Sequence, residues 1–306
     1  MPILRTLSVL AVLVFAVAAW LAVLLRDATT LQLLDGEMAP ASITAAGSLP
    51  TSPPPTLDWQ PIDQSVLASW RGPYWLRWQS NADTAADDDG RALRLALRAA
   101  SQLYWNGQPL AGNGRVGMTA AQERPGQVDI TRVLPPSAPG SVDELLVLAS
   151  SHHQQFGLHS ADALVAVAPA QVLYQRGLLP WLIAAFATGA LAAACLYFLA
   201  LQRGRPQMPG GCLLLALCAV GIALPLIEAW RPLLGYTYPW HAPRLYVLLV
   251  LHVAAAVLLP AYLAQRFNVS VRTSLRIGYL LLLLVAVIAL PSFDIRSAVV
   301  LLLSLL

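Results

Sequence analysis

Charge-free apolar runs of membrane-spanning length constrain this chain more than any other feature. Leu7–Leu25, Leu178–Leu201, Gly211–Ile227, Leu245–Ala264 and Ile277–Pro291 contain no Asp, Glu, Lys or Arg. A helix of about 20 apolar residues crosses the ~30 Å hydrocarbon core of a bilayer, and these runs are read as spans. A further run, Ser297–Leu306, is about half a span, so the sequence reads as stopping inside one, as a fragment or a natural truncation would. Composition agrees. The chain is 57% hydrophobic and 11% charged, against about 45–50% and about 25% in soluble domains. So few charges would not cover a water-soluble globule. At the start, Ala16-Val17-Ala18 resembles a signal-peptide cleavage site, but the apolar run continues through Trp20 to Leu25, which favours an uncleaved anchor over residues 1–26.

Arginine placement orients these spans. The loops Gln202–Gln207 (Arg203, Arg205) and Gln265–Arg276 (Arg266, Arg272, Arg276) carry no acid and are expected in the cytoplasm. The intervening loop from Glu228 to Arg244 mixes charge signs and holds Trp230, Tyr236, Tyr238 and Trp240, residues that favour a membrane–water interface. It is expected outside, as are Ser292–Arg296 and the long polar segment 27–177, with the N-terminus inside. That segment holds fourteen acids against nine arginines, whereas the rest of the chain holds ten arginines and two acids. All 19 basic residues are arginine. The absence of lysine excludes a P-loop, a protein-kinase site and Schiff-base chemistry. The basic residues form no patch, so nucleic acid is not an expected partner.

Within the polar segment, residues 27–61 are rich in Pro, Ser, Thr and Ala and read as a linker. Residues 62–172 show short period-two runs broken by turns. The expected strands are Tyr74–Trp78, Leu103–Trp105, Val128–Leu134, Glu144–Ala149 and Ala163–Val167. Leu93, Leu95 and Leu97 alternate as a strand would, although Leu93, Leu97 and Ala100 also share a helical face. Asn106-Gly107 is the strongest hairpin signal. The expected fold class is therefore a mixed membrane protein: an N-terminal transmembrane helix, an extracytoplasmic antiparallel β-sandwich of jelly-roll type, and a bundle of transmembrane helices at about 178–201, 211–228, 245–264, 277–291 and 297–306.

This order resembles bacterial seven-transmembrane receptors with diverse intracellular signalling modules. Tyr74-Trp75-Leu76-Arg77-Trp78 resembles the opening strand of their extracellular domain. Leu103-Tyr104-Trp105-Asn106-Gly107-Gln108-Pro109-Leu110 resembles the strand of galactose-binding-like jelly rolls that ends in an Asn-Gly turn, and Ser150-Ser151-His152-His153 follows a strand where such domains turn. The resemblance implies a sensory receptor of the bacterial inner membrane. Its periplasmic domain would sense a small molecule, a carbohydrate or a periplasmic protein, and its helices would lead to a histidine kinase or diguanylate cyclase that these residues do not include. The alternative is a membrane-anchored carbohydrate-recognition or assembly subunit of an enzyme or transporter. A homodimer is compatible with either.

Candidate site residues follow from side-chain chemistry. Trp70, Tyr74, Trp75, Trp78, Tyr104 and Trp105 are many aromatics for a small domain. They either fill its core or, at Trp75 and Trp105, form a stacking platform for a ligand, with Asn106 supplying polar contacts. His252 within a span and Glu228 near the end of another are candidates for transmembrane signalling; Arg231, three residues on, would pair with Glu228. His152, His153 and His159 read as turn histidines, and Asp87-Asp88-Asp89-Gly90 as a solvated hairpin tip, because it lacks the alternate spacing and later glutamate of a calcium loop. Cys195, Cys212 and Cys218 lie in apolar runs without companion ligands. No metal site, cofactor or catalytic constellation is expected.

Overall fold

The computed structural model describes residues 32–33, 35–41, 57–81, 90–136, 142–154, 163–204, 210–290 and 292–304. The Leu7–Leu25 span, Asp87-Asp88-Asp89 and His159 lie outside them.

The β-strands are β1 (Gln32–Leu33), β2 (Gly36–Pro40), β3 (Gln60–Pro61), β4 (Tyr74–Asn81), β5 (Arg91–Leu97), β6 (Ala100–Trp105), β7 (Gln108–Pro109), β8 (Asp129–Val133), β9 (Val142–Ser150) and β10 (Ala163–Pro169). Among the described residues they form two antiparallel sheets, ordered β1-β10-β5-β8 and β3-β2-β4-β9-β6-β7. A short helix, α1 (Gln64–Ser69), covers one end and buries Leu67.

The period-two pattern places the core between the sheets. Tyr74, Leu76 and Trp78 of β4, Leu103 and Trp105 of β6, and Leu145, Val147 and Ala149 of β9 point inward from one sheet. They meet Leu93, Leu95 and Leu97 of β5, Ile130 of β8, and Val165 and Val167 of β10 from the other. Leu93, Leu95 and Leu97 can all reach one core only with strand geometry, which resolves the strand–helix ambiguity. The hairpin at Asn106-Gly107 is as expected. Both residues have positive φ, +49° and +78°, as a two-residue turn matching strand twist requires.

The segment read as a linker departs from expectation, because it contributes β1, β2 and β3. Strand β2 pairs with β4 along its length, with Glu37 opposite Arg77, and the two side chains form an ion pair. Gly-Glu-Met-Ala-Pro has little strand propensity of its own, so its conformation comes from the partner strand.

Strand β10 runs without a linker into α2 (Ala170–Gly204), which is followed by α3 (Gly211–Leu234), a 3-10 turn (Tyr238–Trp240), α4 (His241–Arg266), α5 (Thr273–Ala289) and α6 (Phe293–Leu303). Among the described residues, Gly211–Glu228 and Tyr238–Arg266 are long and apolar enough to cross a membrane; Ala185–Leu201 and Thr273–Ala289 are shorter apolar helices. Successive helices α2, α3 and α4 pack on one another, and α6 packs against both α4 and α5.

Prolines inside these helices leave carbonyls without their usual partner, the N–H four residues on. Pro232 frees the carbonyl of Glu228, and Arg244 of α4 donates to it at 3.1 Å and to the Ile227 carbonyl at 3.0 Å. Pro260 frees the carbonyl of Ala256, and the Tyr279 hydroxyl of α5 donates to it at 2.8 Å. These two breaks are thus repaired by a neighbouring helix, which ties each pair together.

Candidate functional site: the joint between the β-domain and the helices

The loop between α3 and α4 docks on the β-domain. Val128 N–H donates to the Tyr236 carbonyl at 3.3 Å, Tyr238 N–H donates to the Gly126 carbonyl at 2.9 Å, and Gln127 faces Thr237 in an antiparallel bridge. The receiving loop is cross-braced. The Asn113 side chain donates to the Gln127 carbonyl and accepts from the Gln127 N–H, both at 2.7 Å. Gly114 has φ +77°, and a Cβ there would come within 2.3 Å of the Arg124 carbonyl oxygen.

Two carboxylates fasten this contact, Glu123 buried and Asp129 half-buried. Glu123 is 5% exposed and accepts from the Ser150 hydroxyl at 2.5 Å, the His152 N–H at 3.1 Å and the Tyr238 hydroxyl. The same Tyr238 oxygen accepts from the His153 N–H at 2.8 Å. One carboxylate therefore gathers the end of β9, the following turn and the interhelical loop. Asp129, which opens β8, pairs with Arg231 of α3 and at 3.3 Å with Arg94 of β5. Burial would raise its pKa, but the hydrogen bonds and charge of Arg231, aided by Arg94, outweigh it and hold the carboxyl below its ordinary value.

On the helical side, Arg244 also pairs with the Glu228 carboxylate, and its guanidinium lies 5.8 Å from the centre of the Tyr236 ring. Tyr236 stacks on His241 at 6.0 Å, and its hydroxyl lies 2.7 Å from His241 Nδ1. A cavity of about 350 Å³ remains between the two parts, with Arg94, Asp129, Glu228, Arg231 and Arg244 in its wall.

The expected site residues fall in several places. Trp105 is 1% exposed inside the main core and does not stand at an open edge. Its position on β6 has the same parity as Leu103, so the ring must point inward. Trp75 faces the opposite side of its sheet but is fully buried, packed with Leu146, Leu148, Tyr104 and Trp59. Asn106 is exposed, yet its side chain binds the Glu144 N–H and the Asp143 carboxylate, both at 2.8 Å, and so holds the hairpin to β9. These three residues do not share an open ligand face. Glu228 and His252 do line one cavity, of about 250 Å³, with Pro225, Leu248 and Phe293. Glu228 pairs with Arg244 in place of Arg231, which reaches the β-domain instead. The turn histidines bind carbonyls: His152 Nε2 donates to Gly117 at 3.1 Å and His153 Nε2 to Ala120 at 3.0 Å. The cysteines are free, and among the described residues no group of three or more His, Cys, Asp or Glu converges as a metal site would require.

Nothing local in the sequence pairs Glu123 or Asp129 with the helices; the one signal is the aromatic loop Tyr236–Trp240, which the sequence marks as interfacial without indicating what it docks on.

No protein-family model matches the chain, and no curated protein matches it. Solved structures with partial likeness include β-glucuronidase from Ruminococcus gnavus in complex with uronic deoxynojirimycin, at 13% identity and TM-score 0.34, over 46% of this chain and 29% of that one. The same enzyme with D-glucuronic acid gives 13% identity and TM-score 0.32, over 45% and 29%. The chain thus spans less than a third of that enzyme's length, and TM-scores this low carry no functional argument.

Proposed function

We propose that this chain is the sensing and membrane portion of a bacterial receptor, akin to the seven-transmembrane receptors with diverse intracellular signalling modules. The β-domain, a jelly-roll sandwich in this reading, lies in the periplasm. The N-terminus is cytoplasmic, and the helices cross the inner membrane. The reaction that reports the signal belongs to a cytoplasmic kinase or cyclase domain, not to these residues. The observation that carries the reading is the joint: the carboxylates of Glu123 and Asp129 both hold groups from the α3–α4 region. A load on the β-domain reaches the helices there and, independently, through the direct passage from β10 into α2.

Reporter fusions test the topology. A fusion after Ser160 should be active only outside the cytoplasm and one after Gly204 only inside; Ser160 in the cytoplasm would sink the reading. A Gln127→Cys/Thr237→Cys pair tests the joint, because facing bridge positions lie within disulfide reach. It should close on mild oxidation of intact membranes, and failure to close would mean that the two parts do not dock in this way.

A further inference from the structure

At the opposite end of the helices from the joint, α5 leans on α6, and a cavity of about 740 Å³ opens between α4 and α5. Part of its wall is apolar, formed by Leu213, Val257 and Leu280 among others, while Gln265, Asn268 and Arg276 bring polar groups to it. The adjoining loop, Gln265–Arg276, carries Arg266, Arg272 and Arg276 and no acid. The N-terminus of α5 opens at the same place. No side chain caps it, so its first-turn N–H groups add partial positive charge.

A partly apolar slot with a cationic mouth, between a helix of membrane-spanning length and a shorter apolar one, matches one kind of occupant. We propose that this cavity binds an anionic phospholipid, its phosphate at Arg276 and the α5 N-terminus, and an acyl chain against the apolar wall. The site rests on the membrane reading above and adds a ligand class to it. In the expected orientation it faces the cytoplasmic leaflet, and an occupant would brace α4 against α5, where the proline break in α4 leaves the Tyr279 hydroxyl as a cross-tie.

The test uses the full chain, extracted from membranes in mild detergent and titrated with phosphatidylglycerol or chain-matched phosphatidylcholine while bound lipid is counted by native mass spectrometry. Phosphatidylglycerol should be retained selectively. Arg276→Gln should weaken it about fivefold, the scale of one arginine at an anionic surface. Ala261→Trp, which fills the cavity, should remove the selective binding, and millimolar inorganic phosphate should not displace the lipid. Equal retention of both lipids, unchanged retention in both variants, or displacement by phosphate alone would overturn the site while leaving the membrane reading intact. A chain that leaves the membrane fraction without detergent would overturn both.

Discussion

At the scale of single residues, side-chain parity along a strand decides whether an aromatic can serve as a ligand platform. Trp105 has the parity of Leu103, and the neighbouring strand β9 sets Leu145 and Val147 on the same inward side, so its ring is core. Trp105→Ala should therefore cost about 3–5 kcal/mol of β-domain stability, as large-to-small core changes do. Urea denaturation of the full chain in detergent, followed by tryptophan fluorescence, would show it as a fall in the first midpoint. A cost near zero would return the ring to the surface. Asn106 illustrates the converse. Its exposure suggests availability, but its amide is already engaged with Glu144 and Asp143.

At the scale of elements, prolines explain why the helices are tied together by polar groups in an otherwise apolar bundle. A carbonyl freed among packed apolar side chains still needs a donor, and here one comes from another helix. Tyr279 meets this need for the Pro260 break, and Arg244 for Pro232. Tyr279→Phe should destabilise the bundle by about 1 kcal/mol, the usual net size of an intramolecular hydrogen bond. In a Pro260→Ala background the Ala256 carbonyl regains its helical N–H, and the same change should cost less, the Leu303 carbonyl at 3.1 Å being the hydroxyl's remaining acceptor. A double-mutant cycle on detergent unfolding, read by circular dichroism, measures this coupling; strict additivity would separate Tyr279 from the proline break.

At the scale of the whole molecule, the joint is electrostatic as well as hydrogen-bonded, which gives it a pH signature. The folded-state pKa of Asp129 is depressed, so the contribution of its ion pair is fully present above the unfolded value of about 3.9 and is lost as pH falls through the folded one. Asp129→Asn should thus be less stable than the parent at neutral pH, and the difference should shrink below about pH 4. Melting curves of the full chain across that range provide the check. A difference independent of pH would assign the loss to packing rather than to charge.

Much of the architecture was legible in the sequence because it depends on local pattern. Alternation marks β4, β6, β8, β9 and β10 and leaves β5 open between strand and helix, charge-free length marks the apolar helices, and Asn-Gly specifies its turn before any contact is known. Pairing across long separations left no such mark. Gly36–Pro40 became a strand through β4, Arg231 reached Asp129 rather than the nearer Glu228, and Glu123 gained its three donors from β9, a turn and the α3–α4 loop. Strand and helix periods are set by the backbone over a few residues, so sequence alone determines them. Which carboxylate meets which cation or hydroxyl depends on how whole elements pack, and only the tertiary structure decides it.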